Sequence, residues 1–186
     1  MSPKAAVPLG LRGRVQLLYR SRRQRLLEEP TAALARHFGS DLVELDRTEF
    51  RHVRVSPRDD LVVEASFAGV FRMFGVLIDT QWLARRGSTS TPEMASVNYR
   101  FDLEKFRGSE GLAQRLGETR TRALAKEAEL KSIKVTEFRE GRLVDLTPLP
   151  GTITAMYLPP LPPYTVTIKP EEADAQLALL LHLADL

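Results

Sequence analysis

The chain has 186 residues, no cysteine and a formal net charge of +3; 43% of it is hydrophobic and 27% charged. This composition excludes a disulfide framework, thiolate-held metal centres and a cysteine nucleophile, and it is too apolar for a disordered chain. Apolar runs are only a few residues long, so no segment is expected to span a bilayer, and the length suits one domain-sized core.

Positive charge is concentrated at the start. Residues 1–30 hold Lys4, Arg12, Arg14, Arg20, Arg22, Arg23 and Arg25 against Glu28 and Glu29, a net +5, which leaves −2 for the rest of the chain. The division read from this is a basic N-terminal arm over 1–30 and a single α+β domain over 31–186. Pro3, Pro8 and Gly10 make the first ten residues irregular. Val15, Leu18, Tyr19, Leu26 and Leu27 then fall near helical spacing. Pro30 is expected to end that helix or open the next, with a second short helix over 31–38 stopped by Gly39.

Strand signals follow. The stretches Asp41–Asp46 and Phe50–Val55 are short and rich in β-branched residues, and Ser56-Pro57-Arg58-Asp59-Asp60 reads as a turn. Leu61, Val63, Ala65 and Phe67 alternate with Val62, Glu64 and Ser66, the mark of a half-buried strand. Ala68-Gly69 is expected to turn the chain into Val70–Ile78, which is apolar on both faces and so suits a central strand. Residues 85–92 (RRGSTSTP) read as a polar, flexible loop suited to a lid, before a strand over Ala95–Phe101.

The spacing then predicts the longest helix, over 109–131, with Ser109 as N-cap and Leu112, Leu116, Ala123, Leu124 and Ala128 on its apolar stripe. Strands Ile133–Phe138 and Leu143–Leu146 flank Arg139-Glu140-Gly141-Arg142, read as a hairpin turn. Strands Thr152–Leu158 and Tyr164–Lys169 are joined by a proline-rich connector. Pro170, with Glu171 and Glu172 behind it, opens a helix over about 171–185.

Strands in consecutive runs, with helices set apart, predict an α+β fold. The expected form is a curved antiparallel sheet of seven or eight strands, as one sheet or two half-sheets. It packs on the 109–131 helix and the C-terminal helix, with the basic N-terminal helix beside it. The preferred picture is a sheet gripping a helix.

Catalytic and cofactor motifs are missing. There is no GxGxxG, GxxxxGK[ST] or GxSxG. His37, His52 and His182 are scattered, so no metal is expected, and no cofactor. Gly108–Gly111 opens a helix, for which a simple helix start is the plainer account. Glu44, Asp46, Glu64, Asp79 and Asp102 lie on or near strands, where one carboxylate with a tyrosine in a pocket would give an isomerase, cyclase or hydrolase a base.

Two features point to binding instead. Arg12, Arg14, Arg20, Arg22, Arg23 and Arg25 form a candidate anion-binding set, for nucleic acid or an anionic membrane surface. A solvated helix face accounts for them equally well. Phe71, Met73, Trp82, Tyr99, Phe101, Tyr157 and Tyr164 come from several strands and are the candidate lining for a small apolar or amphipathic ligand between sheet and helix. A packed core is the plainer account. The leading expectation is a non-catalytic binding domain of this second kind. The cytoplasm is the expected compartment, because no apolar signal-peptide core lies near the start.

Overall fold

The computed structural model describes residues 11–72, 75–100, 105–156 and 164–186. Among them are four α-helices and eight strands, all paired antiparallel in one sheet. The α+β class and the curved antiparallel sheet are as expected, and the sheet is single, not split into halves.

Helix α1 spans Leu11–Phe38 without interruption. Pro30 therefore neither ends a helix nor opens one. Its ring is buried in the same stripe as Leu26, Leu27, Ala33 and Leu34. Each of these leucines contributes about 2 kcal/mol on burial, enough to offset the ~3 kcal/mol that a proline costs inside a helix. A 3-10 turn over Ser40–Leu42 leads to β1 (Val43–Leu45) and β2 (His52–Arg58).

Next come β3 (Leu61–Arg72) and β4 (Gly75–Arg100). They pair from Leu61 opposite Arg86 to Arg72 opposite Gly75. The expected turn at Ala68-Gly69 is thus part of a strand, and Val70–Ile78, expected as one strand, is divided between β3 and β4. The expected loop over 85–92 also lies inside β4. Strand β5 (Lys105–Gly108) returns along the end of β4 and leads to α2 (Glu110–Leu116) and α3 (Thr119–Glu127). The single helix expected over 109–131 is therefore two short ones, broken where Gly117 caps α2 and Glu118 starts α3. Ser109 occupies the N-cap position, but its hydroxyl accepts the Ser96 amide at 3.3 Å instead of capping.

Strand β6 (Leu130–Pro148) runs straight through 139–142, where a hairpin was expected. Strands β7 (Thr152–Met156), β8 (Tyr164–Val166) and helix α4 (Pro170–Asp185) complete the chain. The α4 start is as expected: Pro170 is in the first turn, and the Glu172 carboxylate accepts the Lys169 amide at 2.8 Å.

The sheet order is β1-β2-β3-β4-β7-β8, with β5 and β6 also on β4. One edge of β4 carries β3 and then β5; the other carries β7 and then β6. The β4–β6 ribbon curls so far that the ends of β6 meet, with the Leu149 amide donating to the Glu129 carbonyl at 2.7 Å. Leu61, Val63, Ala65, Trp82, Val144 and Leu146 face inward. Leu177, Leu180 and Leu183 of α4 and Leu27 and Leu34 of α1 pack in the same core.

Candidate functional site

The sheet bends where β4 and β6 cross the middle of their ladder. Residues on β4 outnumber those on β6 here, because Ser88 pairs Glu140 while Glu93 pairs Phe138. Residues 89–92 stand against Arg139 alone, three more than the partner strand, and bulge from the ribbon. Beside the bulge Gly87 lies opposite Gly141 and Arg86 opposite Arg142. Gly87 has φ +66°, and a Cβ there would overlap the Glu140 carbonyl oxygen. A Cβ on Gly141 would overlap the carbonyls of Arg86 and Ser88. Only a glycine pair lets the two backbones approach this closely.

The bend and the last turn of α4 border an open cleft of about 460 Å³. Its walls are Asp60, Arg86, Gly87, Glu137, Phe138, Glu140, Gly141, Arg142, Ala184, Asp185 and Leu186. Arg142 holds the floor. Its guanidinium donates to the Leu183 carbonyl at 2.9 Å and pairs with Glu137. Glu137 is also bound by Arg115 of α2 at 2.8 Å. On the outer wall Arg86 pairs with Asp185, and lies 3.5 Å from Asp60. Arg58 lies 3.8 Å from both acids. The floor pair is nearly dry and the wall pairs are wet, so the wall pairs hold weakly and exchange readily.

The sequence-derived aromatic set does not converge on this cleft. Trp82 is fully buried in the core, and its Nε1 donates to Gln176 Oε1 of α4 at 2.8 Å. Tyr99 packs at the core margin, and Tyr164 is exposed on β8. Phe71 lies on β3, opposite Val76 in register. Met73, Phe101 and Tyr157 lie outside the described residues.

Two of the candidate arginines, Arg20 and Arg22, bind the body of the protein. Arg20 donates to the Arg47 carbonyl at 3.3 Å and lies over the Phe50 ring, 5.5 Å from its centroid. Arg22 donates to Thr165 Oγ1 of β8 at 2.7 Å. Arg23 is half-buried and Arg25 exposed; Arg12 and Arg14 lie in the first turn of α1.

Among the carboxylates, Glu44 is exposed and Glu64 half-buried beside Arg54 in register. Asp46 accepts the amides of Thr48, Glu49 and Arg51, and the Glu49 bond leads in holding its carboxyl below the usual range. Asp79 is buried against Lys131 Nζ at 2.5 Å and Thr152 Oγ1 at 2.9 Å. Asp102 lies outside the described residues. Asp145 is pushed above the usual range by burial, which outweighs the Gln81 amide donating to it at 2.5 Å.

His37 is exposed and meets Phe38 edge-on, and His52 is half-buried on β2. Among the described residues no group of three acids or histidines is placed to hold a metal ion, and no helix is long and apolar enough to cross a membrane.

The cleft residues escape a motif search, yet a signal exists. Arg86-Gly87 and Gly141-Arg142 are the same dipeptide in opposite order, which antiparallel pairing sets face to face. Comparison with protein-family models, with curated proteins and with solved structures finds no match for this chain.

Proposed function

We propose that the protein is a non-catalytic binding domain that takes a small amphipathic molecule between the curled sheet and α4, at the cleft beside the Gly87–Gly141 bend. The observation that carries this reading is the cleft itself, an open, mainly polar depression of about 460 Å³; small-ligand sites typically span roughly 300–1,000 Å³. Its lining suits an amphipathic occupant. Phe138, Ala184 and Leu186 offer apolar surface beside Arg86, Glu140 and Asp185. Exposed pairs such as Arg86 with Asp60 and Asp185 cost little to exchange for a ligand's polar group, whereas the Arg142–Glu137 floor stays fixed.

Native mass spectrometry of the full chain purified from its own host tests the reading. A retained small molecule, lost or reduced in Phe138→Ala, is the expected result. A chain that carries no adduct, or an adduct indifferent to Phe138, overturns it.

A further inference from the structure

The sheet order β1-β2-β3-β4-β7-β8 ends on two strands whose chemistry differs. An end strand leaves a row of backbone N–H and C=O groups unpaired, and folded proteins guard such edges with charge, proline or a bulge. Strand β1 is guarded: Glu44 is exposed at its centre, and Asp41 and Asp46 flank it in sequence. Strand β8 is Tyr164-Thr165-Val166 and carries no charge. Its register with β7 is regular, from Thr154 opposite Tyr164 to Thr152 opposite Val166, so no bulge turns the edge aside.

Side chains alternate across β8. Thr165 points toward α1, where its hydroxyl accepts Arg22 at 2.7 Å. Tyr164 and Val166 stand on the opposite, outer face, 69% and 37% exposed. Leu149, also exposed, lies two residues before Gly151, whose amide donates to the Val166 carbonyl at 2.9 Å. Six large apolar side chains are exposed among the described residues, and Leu149, Tyr164 and Val166 bring half of them to this one edge. None of the three lines the cleft, so a ligand there does not account for them.

We propose that β8 pairs antiparallel with β8 of a second copy of this chain, about a two-fold axis at Thr165, to form a weak homodimer whose two sheets run on as one. The spacing selects this occupant. With Thr165 opposite its own copy, Tyr164 falls opposite the partner's Val166, and Val166 opposite the partner's Tyr164, on the same face. An aromatic ring against a β-branched side chain is a favoured cross-strand pair, and the symmetry makes it twice. The edge offers no charge by which a different partner would be selected. Pairing uses up both β8 edges, and the acids at β1 repel another β1, so the assembly closes at two. The strand is also held short. Pro163 precedes it and has no N–H to give a ladder, and Ile168 is buried in the core two residues after it. An edge of three residues belongs to the small-interface class, below roughly 1,200 Å² of buried surface, so the dimer is transient and depends on concentration.

Sedimentation velocity of the full chain, from about 5 µM to about 500 µM, spans weak self-association and tests this. The average mass is expected to rise from monomer toward dimer and to stop there. Tyr164→Lys/Val166→Lys sets like charges opposite each other twice and is expected to raise the dissociation constant by about tenfold or more. Tyr164→Lys/Val166→Glu sets a lysine opposite a glutamate twice in the same register. It is expected to restore the dimer, now with an affinity that falls as salt is added. Both side chains are exposed, so the circular dichroism of each variant is expected to match the wild type. A chain that stays monomeric across the range, growth beyond the dimer, or a dimer indifferent to Tyr164→Lys/Val166→Lys would each overturn the proposal. So would a folded Tyr164→Lys/Val166→Glu variant that associates no better than the double lysine one.

Discussion

Single residues in this fold carry local costs that the surrounding contacts outweigh. Glu129 has φ +46°, a left-handed conformation that costs a non-glycine residue about 1 kcal/mol. It holds that shape because its carbonyl accepts the Leu149 amide, which joins the ends of β6. Only its backbone is used, so Glu129→Gly is expected to stabilise the protein by about 1 kcal/mol in urea unfolding; a loss of stability would show that the side chain contributes. Asp145 carries a cost of another kind. Burial raises its folded-state pKa, so the folded protein binds the proton more tightly than the unfolded chain. Its contribution is therefore fully favourable below the unfolded-state value and is lost as pH rises through the raised one. Asp145→Asn still accepts from Gln81. It is expected to raise the melting temperature at pH 7 and to lose that advantage in acid, near pH 4; a variant that melts lower at pH 7 would mean the carboxylate is worth more charged than neutral.

At the scale of elements, the bend decides where the cleft lies. Gly87→Ala has to place a Cβ into the Glu140 carbonyl at a positive φ, which is expected to cost on the order of 3 kcal/mol. Gly111 stands in α2 with open space around its Cβ position, so Gly111→Ala is expected to gain about 0.5 kcal/mol. Thermal melts of the two variants separate a glycine required by geometry from one that is not. The same contrast explains what can be read from the chain. Helix α4 is legible because its signals are local: Pro170 at the start, acids in the first turn and leucines at helical spacing. The alternation at Leu61–Phe67 is legible for the same reason. The bend is not. Residues 85–92 and 139–142 each look like a loop when read alone, since polar residues and glycine favour turns. Residues 85–88 and 140–143 join the sheet as each other's partners, some fifty residues apart in the chain, while 89–92 stay unpaired as the bulge; no local pattern encodes that pairing. Pro30 misleads in the same way, since its burial on the apolar stripe of α1 outweighs its local preference. The aromatic residues are a supply that the sequence reveals without saying where it goes, and Trp82 goes to the core. The cleft depends on the Arg-Gly and Gly-Arg pair, which has meaning only once the register is known.

For the whole molecule the question is what keeps a curled ribbon closed. Where the ends of β6 meet, Lys131 reaches across to Asp79 at the start of β4 and Thr152 at the start of β7. The Asp79 side chain is 10% exposed and that of Lys131 30%. A carboxylate this dry is costly without its cation, whereas the intact pair gives back little more than it costs to desolvate. Removing one partner and removing both should therefore differ sharply. Lys131→Met leaves the carboxylate stranded and is expected to cost about 3 kcal/mol. Asp79→Asn keeps the Thr152 bond, with Thr152 still donating to the amide oxygen, and leaves a half-solvated ammonium; about 1–2 kcal/mol is the expected loss. The double variant strands no charge, so it should recover most of the Lys131→Met loss, giving a coupling energy of at least 1 kcal/mol by a double-mutant cycle in urea. Because the clasp joins strands that are far apart in the chain, its loss should also raise the unfolding rate more than it slows folding, the pattern of contacts formed late. Additive single effects would mean that the backbone bond between Leu149 and Glu129, together with the packing of α1 and α4 inside the curl, closes the ribbon without help from the ion pair.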